Sequence, residues 1–190
     1  PFCDSKTGSI KTPPVSRKVI QTPEEIREKL KIERGKKVIL LTTGGITKRL
    51  DLIDKMKRQK DVVFITSGDI QKTTLDKNII SIPMKSDFHY PDLVKAVNLL
   101  VGKAGYGTLA ECWSTNTPLL GCYRASFRES EVLLDFASKE LEHDKLTVND
   151  FEKMDWMDTA SSIMKDLHEK SPKKTNGTHL ASESILNLIL

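Results

Sequence analysis

Short apolar runs that alternate with helix-like segments constrain the fold of this 190-residue chain more than any other feature. The first run, Lys37–Leu41, is rich in β-branched and leucine side chains, which is typical of a strand buried on both faces of a parallel sheet. After it, Leu50, Ile53 and Met56 recur at helical spacing. The other predicted strands are Val62–Thr66, Asn78–Ile82, Leu99–Val101 and Pro118–Cys122.

This alternation of strands and helices predicts right-handed βαβ units. We therefore expect an α/β fold, a Rossmann-like doubly wound parallel sheet of about five or six strands with helices on both faces. No internal repeat and no second core appear, so residues 22–190 are predicted to form one domain. Residues 1–21, rich in Ser, Thr, Pro and Lys, are predicted to form an extended arm or interdomain linker. Thr22-Pro23-Glu24-Glu25 predicts a capped helix start.

Composition narrows the class of ligand. The net charge is only +4, the lysines are scattered, and aromatic residues make up 6% of the chain, so a nucleic-acid groove is not expected. A mild positive charge still suits an anionic ligand. The cysteines Cys3, Cys112 and Cys122 lack metal-ligand spacing, and the last two lie in apolar segments, which predicts core positions in a cytoplasmic, reducing compartment. No apolar run is long enough to cross a membrane.

The segment Leu100–Glu111 predicts a buried strand, a tight glycine turn and a helix start. Free backbone N–H groups at such a start, together with the helix dipole, attract an anion, most often a phosphate. The order G-x-x-G-x-G in Gly102–Gly107 matches neither the dinucleotide fingerprint nor a P-loop. Lys103 in this turn either neutralises phosphate charge or lies in solvent.

Three other features each have a functional and a structural interpretation. The loop Gly44-Gly45-Ile46-Thr47 follows the first strand, where ligands gather in open α/β sheets, but it also reads as an ordinary turn capped by Thr47. Glu111 either accepts ribose hydroxyls or closes a capping box with Thr108. Ser126-Phe127-Arg128-Glu129 is a second capping-box pattern, at the edge where a sugar attached to a bound diphosphate would project.

The residues from Asp92-Leu93-Val94, through the glycine turn and Glu111, to Pro118-Leu119-Leu120 and Phe127-Arg128-Glu129 resemble a known family. They are similar to the carboxy-terminal half of GT-B glycosyltransferases, which consist of two Rossmann-like domains. The relatives that the pattern resembles are the bacterial peptidoglycan N-acetylglucosaminyltransferase group and the transferase-like domain of plant arabinokinase. The resemblance extends from about Val38 to Leu134 and implies a half-domain that binds a nucleotide-sugar donor, usually a UDP-sugar, for hexosyl transfer.

The resemblance also implies site residues. With Lys103, the expected nucleotide-binding residues are Gly44, Gly45, Ser86, Asp87, Phe88, Gly105, Tyr106, Gly107, Thr108 and Glu111. The Gly44–Gly45 loop and residues 105–108 would hold the diphosphate, residues 86–88 would flank the base, and Glu111 would accept the ribose hydroxyls. Arg128 and Glu129 would contact the donor sugar, and Arg17 matches an arginine that precedes this half. Tyr106 and the Arg128-Glu129 pair depart from the family pattern, which leaves the sugar open.

The resemblance implies partners outside this sequence, because the acceptor half is missing. We expect an acceptor-binding domain or subunit, with a membrane-surface or lipid-linked acceptor allowed, and no required metal or other cofactor. The isolated chain is then expected to bind its donor without turnover. A second hypothesis is a non-catalytic nucleotide-sugar module fused to another enzyme such as a sugar kinase. A related epimerase would need acidic and histidine catalytic residues, which we do not find in the sequence. His89 either acts as a base or, as is commoner, begins a helix.

Overall fold

A seven-stranded sheet forms the centre of the computed structural model, which describes residues 11–42, 50–123, 127–165 and 176–189. The strands are β1 (Lys37–Thr42), β2 (Val62–Gly68), β3 (Thr74–Asp76), β4 (Ile79–Pro83), β5 (Leu99–Lys103), β6 (Leu119–Cys122) and β7 (His143–Leu146). They lie in the order β3-β4-β2-β1-β5-β6-β7. The expected doubly wound parallel sheet is confirmed, with seven strands instead of five or six and with β3 alone antiparallel to its neighbour.

Helices cover both faces of this sheet. Those in the described part of the chain are α1 (Pro23–Lys29), α2 (Leu50–Arg58), α3 (Tyr90–Ala96), α4 (Tyr106–Thr115), α5 (Ser130–Glu140), α6 (Val148–Lys153), α7 (Met157–Lys165) and α8 (Thr178–Ile189). Apolar residues of α1, α3, α4 and α5 pack on one face. Those of α2, α6 and α7 pack on the other. None of the helices within the described ranges is long and apolar enough to cross a membrane.

The central strands divide their side chains between the two faces. In β1, Val38 and Leu40 belong to one apolar cluster, whereas Ile39 and Leu41 belong to the other. This follows from the two-residue period of a strand, and both faces need apolar side chains because both carry helices. Each fully buried aliphatic side chain stabilises the fold by about 1.5–3 kcal/mol. The nearly continuous apolar run in the sequence has this physical origin.

Two edge strands were not predicted, and both lack an apolar signal. β3 contains three exposed residues, and β7 has the sequence His-Asp-Lys-Leu, of which only Leu146 is buried. Edge strands have one unpaired side and partly exposed faces, so charged residues are tolerated there and keep the edge from pairing with other chains. Hydrophobic patterning therefore does not detect them.

The predicted helix starts were right at one position and wrong at two. Thr22 and Glu25 form the predicted reciprocal capping box, with Glu25 N donating to Thr22 Oγ1 at 3.2 Å. The capping box assigned to Thr108 and Glu111 is wrong, because α4 begins earlier, after an N-cap at Gly105. The box assigned to Ser126–Glu129 is also wrong. Ser126 lies outside the described residues, but Glu129 is the N-cap of α5, not its third residue, and makes no side-chain cap bond. A short pattern of Ser or Thr followed by Glu recurs inside loops and helices and does not by itself fix a boundary.

The sheet reverses its winding direction at β1 and β5. From β1 the chain builds outward through β2 and β4, and it then returns to the other side of β1 to form β5. Ligands of open α/β sheets bind outside the carboxyl ends of the strands at such a switch point. Thr42 and Gly102 pair there, and a Cβ on Gly102 would lie 1.9 Å from the Thr42 carbonyl oxygen. Gly102 also has φ +140°, so glycine is needed for β1 and β5 to pair this closely.

Candidate nucleotide-binding site

The first turn of α4 lies at this switch point. It directly follows β5, and its N-cap is Gly105, which has no side chain with which to cap the helix. The first N–H groups of a helix lack intrahelical acceptors, and the ten residues of α4 add a dipole that favours an anion. A Cβ on Gly107 would meet nothing within 4 Å, and one on Gly105 would meet only the Lys103 side chain at 4.0 Å. The backbone here is therefore open to a bound group.

Glu111 projects from the second turn of the same helix and is buried. Its Oε1 accepts two bonds from Arg17, from Nε at 2.9 Å and from a terminal guanidinium nitrogen at 2.7 Å. The two side chains differ in exposure, at 5% for Glu111 and 59% for Arg17. Burial raises the pKa of the Glu111 carboxyl, while the hydrogen bond and charge of Arg17 oppose that rise. The carboxylate is thus an acceptor held in place in a partly desolvated position.

The segment before α1 crosses over this site. The Val15 backbone N–H donates to the Tyr106 hydroxyl at 3.0 Å, and the Ile20 N–H donates to Oδ1 of the buried Asp92 at 2.7 Å. The Arg17 guanidinium lies 5.9 Å from the centre of the Tyr90 ring. The described part of this segment is attached to the start of α4 and to α3.

A cavity of about 290 Å³ adjoins the Arg17 side chain at the carboxyl ends of β1, β2 and β4. Its volume is near the lower end of the range for small-molecule sites, about 300–1,000 Å³. Ser86 and Phe88 line it, as do Thr42 and His89. His89 Nε2 also lies 2.9 Å from the Lys18 carbonyl oxygen. The cavity thus brings two residues predicted to flank a base next to the segment that contacts Glu111.

The structure gathers some of the predicted residues and leaves others apart. Gly44 and Gly45 lie outside the described residues. Lys103, Gly105, Tyr106, Gly107, Thr108 and Glu111 lie together at the end of β5 and along the first two turns of α4. Asp87 is exposed and does not line the cavity. Arg128 and Glu129 are exposed in a turn before α5 and do not line it either.

Sequence reasoning gave no role to two cavity residues, Thr42 and Tyr90. Thr42 ends β1, and Tyr90 begins α3. Burial raises the pKa of the Tyr90 hydroxyl, so that group is a neutral hydrogen-bonding partner. The only signal available was position, because Thr42 ends β1 and Tyr90 follows β4 at the edge where ligands of open α/β sheets bind.

The cysteines of the described segments do not provide a nucleophile. Cys112 and Cys122 are buried, as predicted, and are not paired in a disulfide. Burial raises the pKa of the Cys122 thiol to about 11 and that of Cys112 still higher, so both stay protonated at neutral pH. Across the ranges that the structure describes, His, Cys, Asp and Glu side chains form no group of three or more placed to hold a metal ion.

Comparison with known proteins identifies relatives of the fold, although no family model matches the chain. The sequence is 27% identical to L-arabinokinase of Arabidopsis thaliana over 124 residues, which cover 65% of this chain and 12% of that protein. The glycosyltransferase VinC, solved with dTDP, matches 78% of this chain and 37% of its own, with 14% identity and a TM-score of 0.55. Arabidopsis thaliana UGT89C1, solved with UDP, matches 90% of this chain and 48% of its own, with 12% identity and a TM-score of 0.51.

The chain spans a small part of the arabinokinase and less than half of each glycosyltransferase. The match to the arabinokinase agrees with the resemblance found in the sequence, whereas the resemblance to the peptidoglycan transferases stays a prediction. The element order, the switch point and these likenesses agree with one another: the chain has the fold of a Rossmann-like half of the GT-B glycosyltransferases.

Proposed function

We propose that this chain binds a nucleotide sugar, a UDP-sugar in particular, as the donor half of a glycosyltransferase that transfers a hexosyl group. The observation that carries the proposal is the meeting of three features at the carboxyl edge of the sheet, around β1. These are a helix start with a glycine N-cap, the buried carboxylate of Glu111, and a cavity lined by Ser86 and Phe88. Two proteins of similar fold were solved with dTDP and UDP, which supports this class of ligand.

The proposal assigns one part of the ligand to each feature. The diphosphate lies at the first turn of α4, where Gly105 and Gly107 leave the backbone open. The ribose hydroxyls donate to Glu111, and the base enters the cavity beside Ser86 and Phe88. When the bond between sugar and diphosphate breaks, negative charge develops on the departing diphosphate. The N–H groups and the helix dipole are already oriented toward it, and each well-placed donor contributes about 3 kcal/mol. Gly44, Gly45, Arg128 and Glu129 keep their predicted roles in this proposal.

The ion pair with Arg17 is compatible with a bound ribose. Both bonds from Arg17 go to Oε1, and a carboxylate has about four lone-pair sites on its two oxygens. Acceptor capacity therefore remains for two hydroxyl groups.

Calorimetry with UDP, ADP and GDP tests the base and the pentose contact. We expect UDP to bind most tightly and Glu111→Ala to weaken UDP binding by about 1–3 kcal/mol, because two hydroxyl bonds to a charged acceptor are lost. Glu28→Ala, on the exposed side of α1, is the matched control and should leave UDP affinity unchanged. Equal affinity for all three nucleotides would contradict the proposal. So would a Glu111→Ala variant whose only change is a lower melting temperature.

Turnover requires an acceptor-binding domain or subunit, which in this proposal supplies the acceptor groove and the general base. The isolated chain then binds UDP-sugar without releasing UDP, and the complete natural polypeptide or complex releases it. Since backbone N–H groups and a helix dipole neutralise the diphosphate, chelation of divalent cations with EDTA should leave UDP affinity unchanged. This proposal allows an acceptor that is linked to a lipid or located at a membrane surface.

A second candidate is a non-catalytic nucleotide-sugar module attached to another enzyme, such as a sugar kinase. The similarity to a segment that forms 12% of L-arabinokinase favours it. A UDP-release assay on the complete natural polypeptide separates the two candidates. Tight UDP-sugar binding with no UDP release in the presence of acceptor sugars and lipids would favour the module.

A further inference from the structure

A second cavity, of about 450 Å³, lies near the amino ends of β1, β2 and β4, at the opposite edge of the sheet from the candidate nucleotide site. Five lysines line it, and we call it the lysine cavity: Lys31, Lys36, Lys57, Lys60 and Lys77. They come from three separate segments, namely the loop after α1, the end of α2 with the turn that follows it, and the turn between β3 and β4. Tertiary folding therefore brings together lysines that are scattered in the sequence.

The charge of the lysine cavity is strongly unbalanced. Glu33 is the single acidic residue among its lining residues, which leaves an excess of four positive charges. That excess is as large as the net charge of the whole chain, +4. Lys57 is paired with Asp76 at 2.6 Å. Within the described part of the chain, Lys31, Lys60 and Lys77 form no ion pair. Three ammonium groups are therefore available to an anion.

Two of the lysines stand at left-handed backbone positions, Lys31 just after the end of α1 and Lys77 in the turn between β3 and β4. Lys31 and Lys77 have φ of 55° and 57°, in the left-handed region where glycine or asparagine is less strained than lysine. Lysine stands at both positions in spite of that strain, and both residues line the cavity. The five lysines line the same concave surface.

The wall of the lysine cavity is partly apolar. Val63 and Ile32 are half-buried, and Leu75 on the edge strand β3 is 61% exposed. We propose that the lysine cavity is a second binding site, for a ligand that carries phosphate groups on a body with an apolar surface. Phosphate oxygens would bind the free ammonium groups, and the apolar part would lie against Leu75. Such a ligand is either a soluble phosphorylated metabolite or the headgroup region of an anionic phospholipid.

Inorganic pyrophosphate, titrated into the ¹⁵N-labelled chain, tests the site by NMR. We expect shift changes at the amides of Lys31, Lys77 and Asn78, separate from any changes at the first turn of α4. The double variant Lys31→Asn/Lys77→Asn removes two charges with a residue that tolerates left-handed backbone. It should keep the melting temperature at or above that of the parent, weaken pyrophosphate at this site about tenfold, and leave UDP affinity unchanged.

The control is Lys139→Gln/Lys145→Gln, which makes the same change in net charge near the β7 edge of the sheet. An equal loss in this control would overturn the proposal, because it would indicate only general electrostatic attraction. Cosedimentation with phosphatidylcholine vesicles, with and without phosphatidylserine, identifies the source of the phosphate. Vesicle binding that depends on Lys31 and Lys77 supports a lipid headgroup, and pyrophosphate binding alone supports a soluble ligand. Absence of both kinds of binding at this cavity would overturn the proposal.

Discussion

At the scale of single residues, the pair of Arg17 and Glu111 is asymmetric. The carboxylate is buried and the guanidinium is mostly exposed, so the cost of removing one partner depends on which partner remains. Loss of Glu111 leaves an arginine that water can solvate. Loss of Arg17 leaves a desolvated carboxylate without its cation, which is the costlier situation. Arg17 therefore has a structural role in keeping Glu111 ionised and in position, separate from any contact with a ligand.

We predict that Arg17→Ala lowers the free energy of unfolding by about 1–2 kcal/mol at neutral pH. The deficit should shrink in acid. The pKa of Glu111 is raised above its ordinary value of 4.5, and loss of Arg17 raises it further, so the native state takes up a proton before the unfolded state does as the pH falls. Urea unfolding across this pH range measures the effect.

The double variant Arg17→Ala/Glu111→Gln is the control for this pH dependence. His89 also faces Glu111 and is present in both variants, so only the carboxyl differs between them. The pH-dependent part of the deficit should disappear in the double variant. A deficit in Arg17→Ala that stays constant from neutral to acidic pH would show that Glu111 does not carry a buried charge.

At the scale of elements, two glycines around the β5–α4 turn have different physical roles. Gly102 allows β1 and β5 to pair, because a Cβ would collide with the Thr42 carbonyl and φ is +140°. Gly107 lies in the first turn of α4 with open space around it, so nothing in the protein itself requires a glycine. The absence of a structural need at Gly107 is consistent with a bound group that approaches the backbone.

Alanine substitutions separate these roles. Gly102→Ala should lower the free energy of unfolding by at least about 3 kcal/mol, since a strained backbone and a steric collision add. Gly107→Ala should keep the stability or raise it by up to about 1 kcal/mol, because alanine is the better helix former. It should nevertheless weaken UDP binding. Thermal unfolding and calorimetry of both variants test this contrast. Unchanged UDP affinity in Gly107→Ala would contradict the proposal that the diphosphate binds at the first turn of α4.

The sequence predicted most of these elements and part of the site. All five apolar strands occur within two residues of their predicted ends, because burial on both faces imposes a strong pattern. β3 and β7 were not predicted, because exposed edge strands lack that pattern. The glycine turn and Glu111 were placed at the correct edge by strand order. The bond from Arg17 to Glu111 spans 94 positions and depends on tertiary packing, which local patterns do not encode.

At the scale of the whole molecule, the segment before α1 contacts both the start of α8 and the candidate site. Asn176 Nδ2 donates to the Ser16 carbonyl at 2.7 Å and to Ser16 Oγ at 3.0 Å. Next to it, the Gly177 N–H donates to the Pro14 carbonyl at 3.0 Å. The same segment contacts Glu111 through Arg17, one residue after Ser16. The position of α8, most of whose described side chains are exposed, is therefore coupled to the position of Arg17 beside the site.

We predict that Asn176→Asp weakens this coupling without unfolding the sheet. The carboxylate still accepts the bonds from Thr178 that begin α8, at 3.0 and 2.7 Å, but it no longer donates to Ser16 and would face the Ser16 carbonyl oxygen. Hydrogen exchange should become faster in α8 and at residues 15–17, while the amides of β1 and β5 keep their protection. Ser184→Ala, which removes a bond internal to α8, is the control and should leave residues 15–17 unchanged. Faster exchange in Asn176→Asp that spreads equally through the sheet would mean that the segment stabilises the whole fold, and unchanged exchange at residues 15–17 would mean that Asn176 does not hold it.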